Sequence, residues 1–281
     1  MRLRSLLFVP GDRPDRMEKA LASGADALIL DLEDAVAPTA KDTARRAVAD
    51  FLSQTDRAVA LFVRINPLDS GLADMDLDAV APARPDGWVL PKAEGSASVL
   101  DLDARLADRG DRTAPILPIA TETPRAIFHL GTYADAPARL AGLTWGAEDL
   151  PAAIGAESSR EDDGSYTAPY HMARALTLFG AAAAGVAPIE TVYPAFRDTA
   201  GLEAYARRGA RDGFTGMMAI HPAQVPIINA AFTPTAEAIA KAQAIVDAFA
   251  AHPGAGALSV DGRMVDAPHL RQAHALLARA S

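Results

Sequence analysis

Eight short apolar runs, spread from residue 6 to residue 222, constrain this chain more than any other feature. Each run is continuous rather than alternating, and a polar turn and a helical pattern follow it. A continuous apolar strand is buried on both faces, as in a parallel sheet covered by helices. The runs are LLFVP (6–10), ALILDLED (27–34), ALFVRIN (60–66), GWVLPKAE (87–94), PILPIATE (115–122), LAGLTWGAED (140–149), IETVYP (189–194) and MMAIHP (217–222).

Eight strand–helix units in about 230 residues predict a (β/α)8 TIM barrel, a fold of typically about 250 residues. An open doubly wound sheet is the structural alternative. Such a sheet more often carries a glycine-rich phosphate turn after its first strand, and the sequence contains neither GxGxxG nor GxxxxGK[ST]. We therefore predict an α/β TIM barrel.

The chain continues beyond the eighth unit with a pattern that does not belong to a barrel. PTAEAIAKAQAIVDAFAA (234–251) predicts a helix, a glycine-rich stretch follows it, and a last helix runs to Ser281. We predict two parts: a barrel domain over residues 1–232 and a C-terminal helical extension over residues 233–281.

Composition excludes several classes of function. The net charge is −9, from 36 acidic and 27 basic side chains, and no basic run argues for nucleic acid or an anionic membrane as a partner. No cysteine is present, which excludes disulfides and thiolate ligands. The apolar run at the start stops at Pro10-Gly11, too short for a signal peptide core. We expect a cytoplasmic protein without a membrane span.

The active site of a TIM barrel lies at the carboxyl ends of its strands. The strand ends of this chain carry many acids and a few bases: Asp31, Glu33, Asp34, Arg64, Lys92, Glu94, Glu122, Glu148, Asp149, Tyr193 and His221. Carboxylates gathered at one rim repel one another unless cations neutralise them. Without a thiol or a histidine cluster, a bound metal would be a hard ion, and Mg²⁺ is the natural choice.

Each of these residues also has an ordinary structural interpretation. The acids in 31–34 can form a turn before the next helix, and Arg64 can end a strand and pair with one of them. Lys92 can neutralise such an acid, Glu122 can cap the following helix, and His221 can be structural. The residues taken one by one leave both interpretations open and name no reaction.

Eight ordered motifs resemble the citrate lyase β-subunit-like proteins, the CoA-ester lyase branch of the HpcH/HpaI aldolase group, which includes malyl-CoA and citramalyl-CoA lyases. The resemblance covers roughly residues 3 to 270. The motifs are RSLLFVPGDRPDRMEKA, ALILDLEDAV, VRIN, LPKAE, ETPRAI, TWGAEDL, GFTG-x-x-AIHPAQV and VDGRMVDAPHL. The resemblance implies a TIM barrel in a homotrimer or hexamer, with the C-terminal extension packed on the barrel and on a neighbouring subunit.

The resemblance also implies a role for each matching residue. Glu122 and Asp149 match the ligands of one Mg²⁺, for which Mn²⁺ is a substitute. Arg64 matches the arginine that steadies a thioester enolate, and Asp266 matches a catalytic acid/base presented by the C-terminal segment of a neighbouring subunit. The residues implied to bind substrate are Arg64, Arg13, Lys92, Gly146, Ala147 and Glu148, and those implied to organise water around the metal are Glu33 and Asp34.

The implied reaction cleaves a carbon–carbon bond in a 3-hydroxyacyl thioester such as malyl-, citramalyl- or citryl-CoA. The products are an acetyl thioester and a 2-oxo acid such as pyruvate or oxaloacetate. Alternatives are a malyl-CoA thioesterase or malate synthase-like activity, a pyruvate aldolase that uses no thioester, and the β subunit of a citrate lyase complex. Glu190, Met217 and Ala195 depart from residues common in the family, which leaves CoA and an acyl carrier protein both open as the carrier.

Overall fold

The computed structural model describes residues 1–54, 58–136 and 138–280. The chain divides into two compact units, Met1–Asn229 and Ala230–Ser281. The first unit is built on eight parallel strands, one for each apolar run. They are β1 (Ser5–Pro10), β2 (Ala27–Asp31), β3 (Ala60–Arg64), β4 (Gly87–Leu90), β5 (Ile116–Pro118), β6 (Gly142–Thr144), β7 (Ala187–Glu190) and β8 (Gly216–Ala219).

The eight strands form a nearly closed barrel. The sheet runs in the order β5-β4-β3-β2-β1-β8-β7-β6. Parallel bridges from Ile116 to Leu140 and from Ile119 to Thr144 join its two edges. The ring therefore leaves little free edge, and the predicted TIM barrel is confirmed.

Helices separate the strands and cover the outside of the barrel. Thr123 and Asp198 begin two of them by accepting a hydrogen bond from a backbone N–H of the first turn, a usual role for these residue types. The helices are α1 (Pro14–Ala20), α2 (Lys41–Gln54), α3 (Ala73–Val80), α4 (Ser96–Asp108), α5 (Pro124–His129), α6 (Leu150–Ile154), α7 (Ala168–Ala184), α8 (Thr199–Asp212) and α9 (Val225–Phe232).

Apolar side chains fill the inside of the barrel. Leu6, Ile29, Phe62, Leu117 and Ile189 pack in one cluster, and each is buried. Full burial of such a side chain is worth about 1.5–3 kcal/mol. This core gives the strand ends a rigid base from which polar side chains can be aimed.

The second unit contains a β-hairpin between two helices. It consists of α10 (Ala236–Ala251), β9 (Ala257–Val260), β10 (Arg263–Asp266) and α11 (Ala267–Ala280). Asp261 and Gly262 connect the strands with φ of 49° and 74°, the two positive values that a type I′ turn requires. The helices match the sequence prediction, which had placed no strands in the glycine-rich stretch. The predicted packing of this extension stays a prediction.

Within the described ranges, no helix is both long enough and apolar enough to cross a membrane.

A buried polar clamp fixes the loop that follows β3. Asp76, on α3, is fully buried and accepts hydrogen bonds from the backbone N–H and the side-chain amide of Asn66, each at 2.7 Å. Its other oxygen accepts from Nε of Arg45 on α2, also at 2.7 Å. Asn66 lies two residues beyond Arg64, so the clamp holds the end of β3 in place.

Replacing Asp76 with Ala is expected to lower the free energy of unfolding by about 3–5 kcal/mol, because it leaves the buried Arg45 guanidinium with the exposed Asp42 in place of its buried partner. Asp42 is a matched control, because it pairs with the same arginine but is 72% exposed. Asp42→Ala should cost less than about 1 kcal/mol. Urea unfolding followed by circular dichroism measures both, and equal losses would contradict the assignment.

Candidate active site

The strands β2 to β6 bring polar side chains together at their carboxyl ends. Ion pairs and hydrogen bonds join six of these side chains into one group, called here the acidic cluster. Its members are Asp31, Glu33, Arg64, Lys92, Glu122 and Asp149. Five strands thus contribute to one site, as expected for a TIM barrel.

Arg64, the last residue of β3, is held by two carboxylates. Its Nε and Nη2 donate to Asp31 at 2.7 and 2.6 Å, and its Nη1 lies 2.9 Å from Oε2 of Glu33. Burial opposes the charge, but Asp31 raises the pKa of Arg64, so the guanidinium stays cationic. A guanidinium has five N–H donors, of which these contacts use three. Arg64 therefore does pair with an acid, and it retains donor capacity for a ligand.

Lys92 contacts three carboxylates of the acidic cluster. Its Nζ donates to Glu33 at 2.8 Å and lies 3.2 Å from Oδ1 of Asp149. Its backbone N–H donates to Oε2 of Glu122 at 2.5 Å. The φ of Lys92 is 49°, a left-handed conformation that non-glycine residues rarely adopt. Burial opposes the ammonium charge, but the hydrogen bond to Glu33 raises the pKa of Lys92.

Glu122 is buried, with 4% of its surface exposed. Burial, together with the negative charges of Glu33 and Asp149, raises the pKa of Glu122 to about 8. The helix that follows is capped by Thr123, so Glu122 does not serve as its cap. The side chain of Glu122 is instead available to a cation.

The segment that carries Asp149 is fastened to the segment that carries Glu122. Thr121 Oγ1 accepts from the Gly146 N–H and donates to the Gly146 carbonyl, both at 3.0 Å. A Cβ on Gly146 would lie 2.9 Å from Cγ of Glu122, so only glycine allows this close approach. The two proposed ligand positions are thereby held in register.

A second network, which no sequence motif indicated, supports the same segment from behind. Glu190 is fully buried at the end of β7 and accepts hydrogen bonds from Trp145 Nε1 at 2.5 Å, Tyr205 Oη at 2.8 Å and Arg174 Nε at 2.7 Å. Trp145 directly precedes Gly146. Glu190 thus fixes the end of β6 through the indole, and its pattern of donors became visible only in three dimensions.

No sequence motif indicated a role for Lys41 either. Its Nζ donates to the carbonyls of Leu32 and Glu33 at 2.6 and 2.7 Å and to Asn66 Oδ1 at 2.9 Å. These bonds tie the ends of β2 and β3 together. Lys41 therefore positions the backbone from which Glu33 reaches the acidic cluster.

The remaining predicted residues of the first unit lie at different depths. Ala147 is buried, whereas Glu148 and Asp34 are exposed. Arg13 donates to the Asp15 carboxylate and lines a cavity of about 520 Å³. Phe8 lines the same cavity, and its ring centroid lies 4.8 Å from the Arg64 guanidinium.

His221 and Asp266 have well-defined local partners. His221 caps a helical turn by accepting from the Ala223 N–H at 3.2 Å, which supports its structural interpretation. Asp266, in the second unit, lies 2.6 Å from Nδ1 of His269, and that hydrogen bond lowers the pKa of Asp266. The role implied for Asp266 stays a prediction.

The donor set of the acidic cluster suits a hard divalent cation. Its four carboxylates face two cationic side chains, so two negative charges remain when all are ionised. Among the described residues no three potential ligand side chains converge into a metal cage. Mg²⁺ is commonly coordinated by one or two carboxylates and several waters, and the pair Glu122 and Asp149 fits that coordination.

Comparisons with known proteins agree on one family. The HpcH/HpaI aldolase/citrate lyase model matches residues 4–222. A citrate lyase subunit beta-like protein of Mycobacterium tuberculosis is 39% identical, over 98% of this chain and 94% of that protein. An L-malyl-CoA/beta-methylmalyl-CoA lyase of Cereibacter sphaeroides is 34% identical, over 99% and 94%. The structure of CitE from M. tuberculosis with magnesium, acetoacetate and coenzyme A superposes with a TM-score of 0.84 at 35% identity, over 99% of this chain and 98% of that one.

The raised pKa of Glu122 predicts how stability depends on pH without metal. In the folded state this carboxyl keeps its proton up to pH of about 8, and in the unfolded state it loses it near pH 4.3. The folded state binds the extra proton in between, so the free energy of unfolding is expected to fall as pH rises from about 5 to 8. Glu122→Gln should make that fall shallower. The fall that remains is expected from Glu33, whose pKa is also raised by burial.

Urea unfolding in EDTA at several pH values measures the effect. Glu157→Gln, at an exposed position in the loop after α6, is the control and should follow the wild type. An unchanged slope in Glu122→Gln would show that Glu122 ionises normally.

Proposed function

The chain belongs to the HpcH/HpaI aldolase/citrate lyase family, and on this premise we propose that it is a Mg²⁺-dependent carbon–carbon lyase. Its substrate is a 3-hydroxyacyl thioester of the malyl, citramalyl or citryl type. The products are an acetyl thioester and a 2-oxo acid.

One observation carries this proposal: a buried Glu122 shares the acidic cluster with Asp149, Glu33 and the paired guanidinium of Arg64. The carboxylates provide hard oxygen ligands, and the arginine provides a fixed positive charge beside them. A retro-Claisen cleavage needs both, because it removes a hydroxyl proton and leaves negative charge on a thioester oxygen.

Glu122 and Asp149 would hold the Mg²⁺. When bound, the ion supplies Lewis acidity toward the substrate hydroxyl and the neighbouring carboxylate. Lys92 fixes Glu122 through its backbone N–H, and its ammonium lies near Asp149. The protein thus sets the spacing of the two ligands through its own hydrogen bonds.

Arg64 is suited to stabilise the enolate oxygen. Asp31 and Glu33 hold the guanidinium rigidly, so little reorganisation is needed when the enolate charge develops. The donors not used by these carboxylates are available to that oxygen.

Asp266 is proposed as the catalytic acid/base: its carboxylate takes the hydroxyl proton and then returns that proton to the enolate carbon. Asp266 is the last residue of β10, and its carboxylate is hydrogen-bonded to His269. We place it in the site of a neighbouring subunit of a homotrimer or hexamer, in line with the family resemblance.

The thioester carrier is proposed to be CoA. The cavity beside Arg13 also contains Arg16 and Lys19, and this cationic lining suits the phosphate groups of CoA. The complex of the M. tuberculosis relative with coenzyme A supports the same carrier.

The direct test is the release of 2-oxo acid from malyl-, citramalyl- and citryl-CoA, with Mg²⁺ and with EDTA. We expect Mg²⁺-dependent release from one of them. Asp149→Ala should lower kcat/KM by about 100-fold or more, because it removes a metal ligand, and Glu157→Gln should leave it unchanged. Release of free CoA without carbon–carbon cleavage would point to a thioesterase, and full activity in Asp149→Ala would contradict the metal assignment.

A mixing experiment tests whether Asp266 acts across a subunit interface. Asp149→Ala and Asp266→Asn should each be inactive, but randomly mixed trimers of the two should regain about a quarter of the wild-type activity. That fraction of sites combines an intact Asp149 with an intact Asp266 from the next subunit. Mixed oligomers without any activity would show that both residues act within one chain.

A further inference from the structure

A cavity of about 670 Å³ in the barrel unit lies between the segment 160–166 and helix α8. The proposed reaction makes no use of it. Asp163 is the one acid among the lining residues, whereas four arginines line the cavity: Arg160, Arg207, Arg208 and Arg211. We call it the arginine pocket. A chain with a net charge of −9 thus concentrates positive charge at one concave surface.

Arg160 is held in place without a counterion. Its Nη1 donates to the Gly164 carbonyl at 2.9 Å, and its Nη2 donates to Tyr166 Oη at 2.8 Å. Its guanidinium also stacks over the Tyr166 ring at 4.1 Å. Within the described ranges no carboxylate forms an ion pair with Arg160, although the side chain is half-buried.

Arg208, on α8, also lacks a counterion among the described residues. It is half-buried and lies over the Tyr205 ring at 5.3 Å, and no carboxylate of the described chain pairs with it. Arg207 differs, because Glu203 binds it at 2.7 Å. Partly burying a charge without a counterion costs free energy, so the two guanidiniums that no described carboxylate pairs with are suited to receive an anion.

The tyrosines beneath these arginines make the arrangement rigid. The rings of Tyr166 and Tyr205 pack edge to face with their centroids 6.4 Å apart, and Tyr205 Oη donates a hydrogen bond to the buried Glu190. The floor of the pocket is therefore part of the barrel core. Stacked guanidiniums on fixed rings lose little freedom when they bind an oxyanion.

From these contacts we infer that the arginine pocket binds a small organic phosphate. Guanidinium groups bind phosphate oxygens in a two-pronged geometry, and the tyrosine rings offer an apolar surface for the rest of the molecule. The volume lies in the range of ordinary small-molecule sites. The pocket shares no lining residue with the cavity beside Arg13, so it is a second anion site and does not depend on the proposed function.

The pocket is also connected to the acidic cluster. Tyr205 and Trp145 bind the same carboxylate, Glu190, and Trp145 precedes the segment that carries Asp149. Tyr205 therefore links the floor of the pocket to the segment that carries Asp149.

Calorimetric titration of the full-length protein with pyrophosphate tests the inference, in EDTA and with saturating CoA to fill the thioester site. We expect the double variant Arg160→Gln, Arg208→Gln to raise Kd about tenfold or more, since each lost charged hydrogen bond contributes at that scale. Arg207→Gln should change Kd by less than about twofold, because Glu203 already neutralises it. Arg46→Gln, exposed on α2, is the outside control.

Replacing both arginines with lysine keeps the charge without the two-pronged donors and should give an intermediate Kd. This variant separates loss of binding from loss of folding. Wild-type Kd in the double glutamine variant would overturn the inference. Equal affinity for citrate would overturn the assignment to phosphate in favour of a general oxyanion site.

Discussion

Repulsion between carboxylates is the constraint around which the mouth of this barrel is organised. Four acids from the ends of three strands meet there, and none can be buried unless its charge is balanced or its proton retained. Arg64 and Lys92 balance part of the negative charge. Glu122 reduces that charge further, because its raised pKa lets it keep its proton up to pH of about 8. The shortage of positive charge is what prepares the site for a divalent cation.

The fold makes this crowding possible by fixing backbone segments before it places side chains. The buried Asp76 clamps the loop after β3, Lys41 ties β2 to β3, and Thr121 locks Gly146 against Glu122. Glu190 supports the same region from the far side through Trp145. Each acid therefore sits on a strand end that cannot drift away from its neighbours when like charges repel.

Much of this architecture follows from local sequence patterns. The eight apolar runs predicted the eight strands, because a strand that is buried on both faces has an unbroken apolar sequence. The strand-end rule then pointed to Arg64, Glu122 and Asp149 together. The short hairpin of the second unit was missed, since its two strands have four residues each and follow a glycine-rich stretch.

The partners of the site residues could not be predicted in the same way. The bond from Lys92 to Glu122 is made by a backbone N–H, which leaves no trace in residue type. Glu190 gathers donors from β6, α7 and α8, and that convergence depends on helix packing that a linear pattern does not encode. Long-range geometry, rather than composition, decides which partner each acid meets.

The backbone conformation of Lys92 has a consequence for how this site can vary. A glycine would adopt φ of 49° without strain and would keep the N–H that holds Glu122. The chain instead accepts an unfavourable conformation, and what it gains is an ammonium between Glu33 and Asp149. Backbone and side chain at one position thus serve different acids, so one substitution at Lys92 changes both the geometry of Glu122 and the charge beside Asp149.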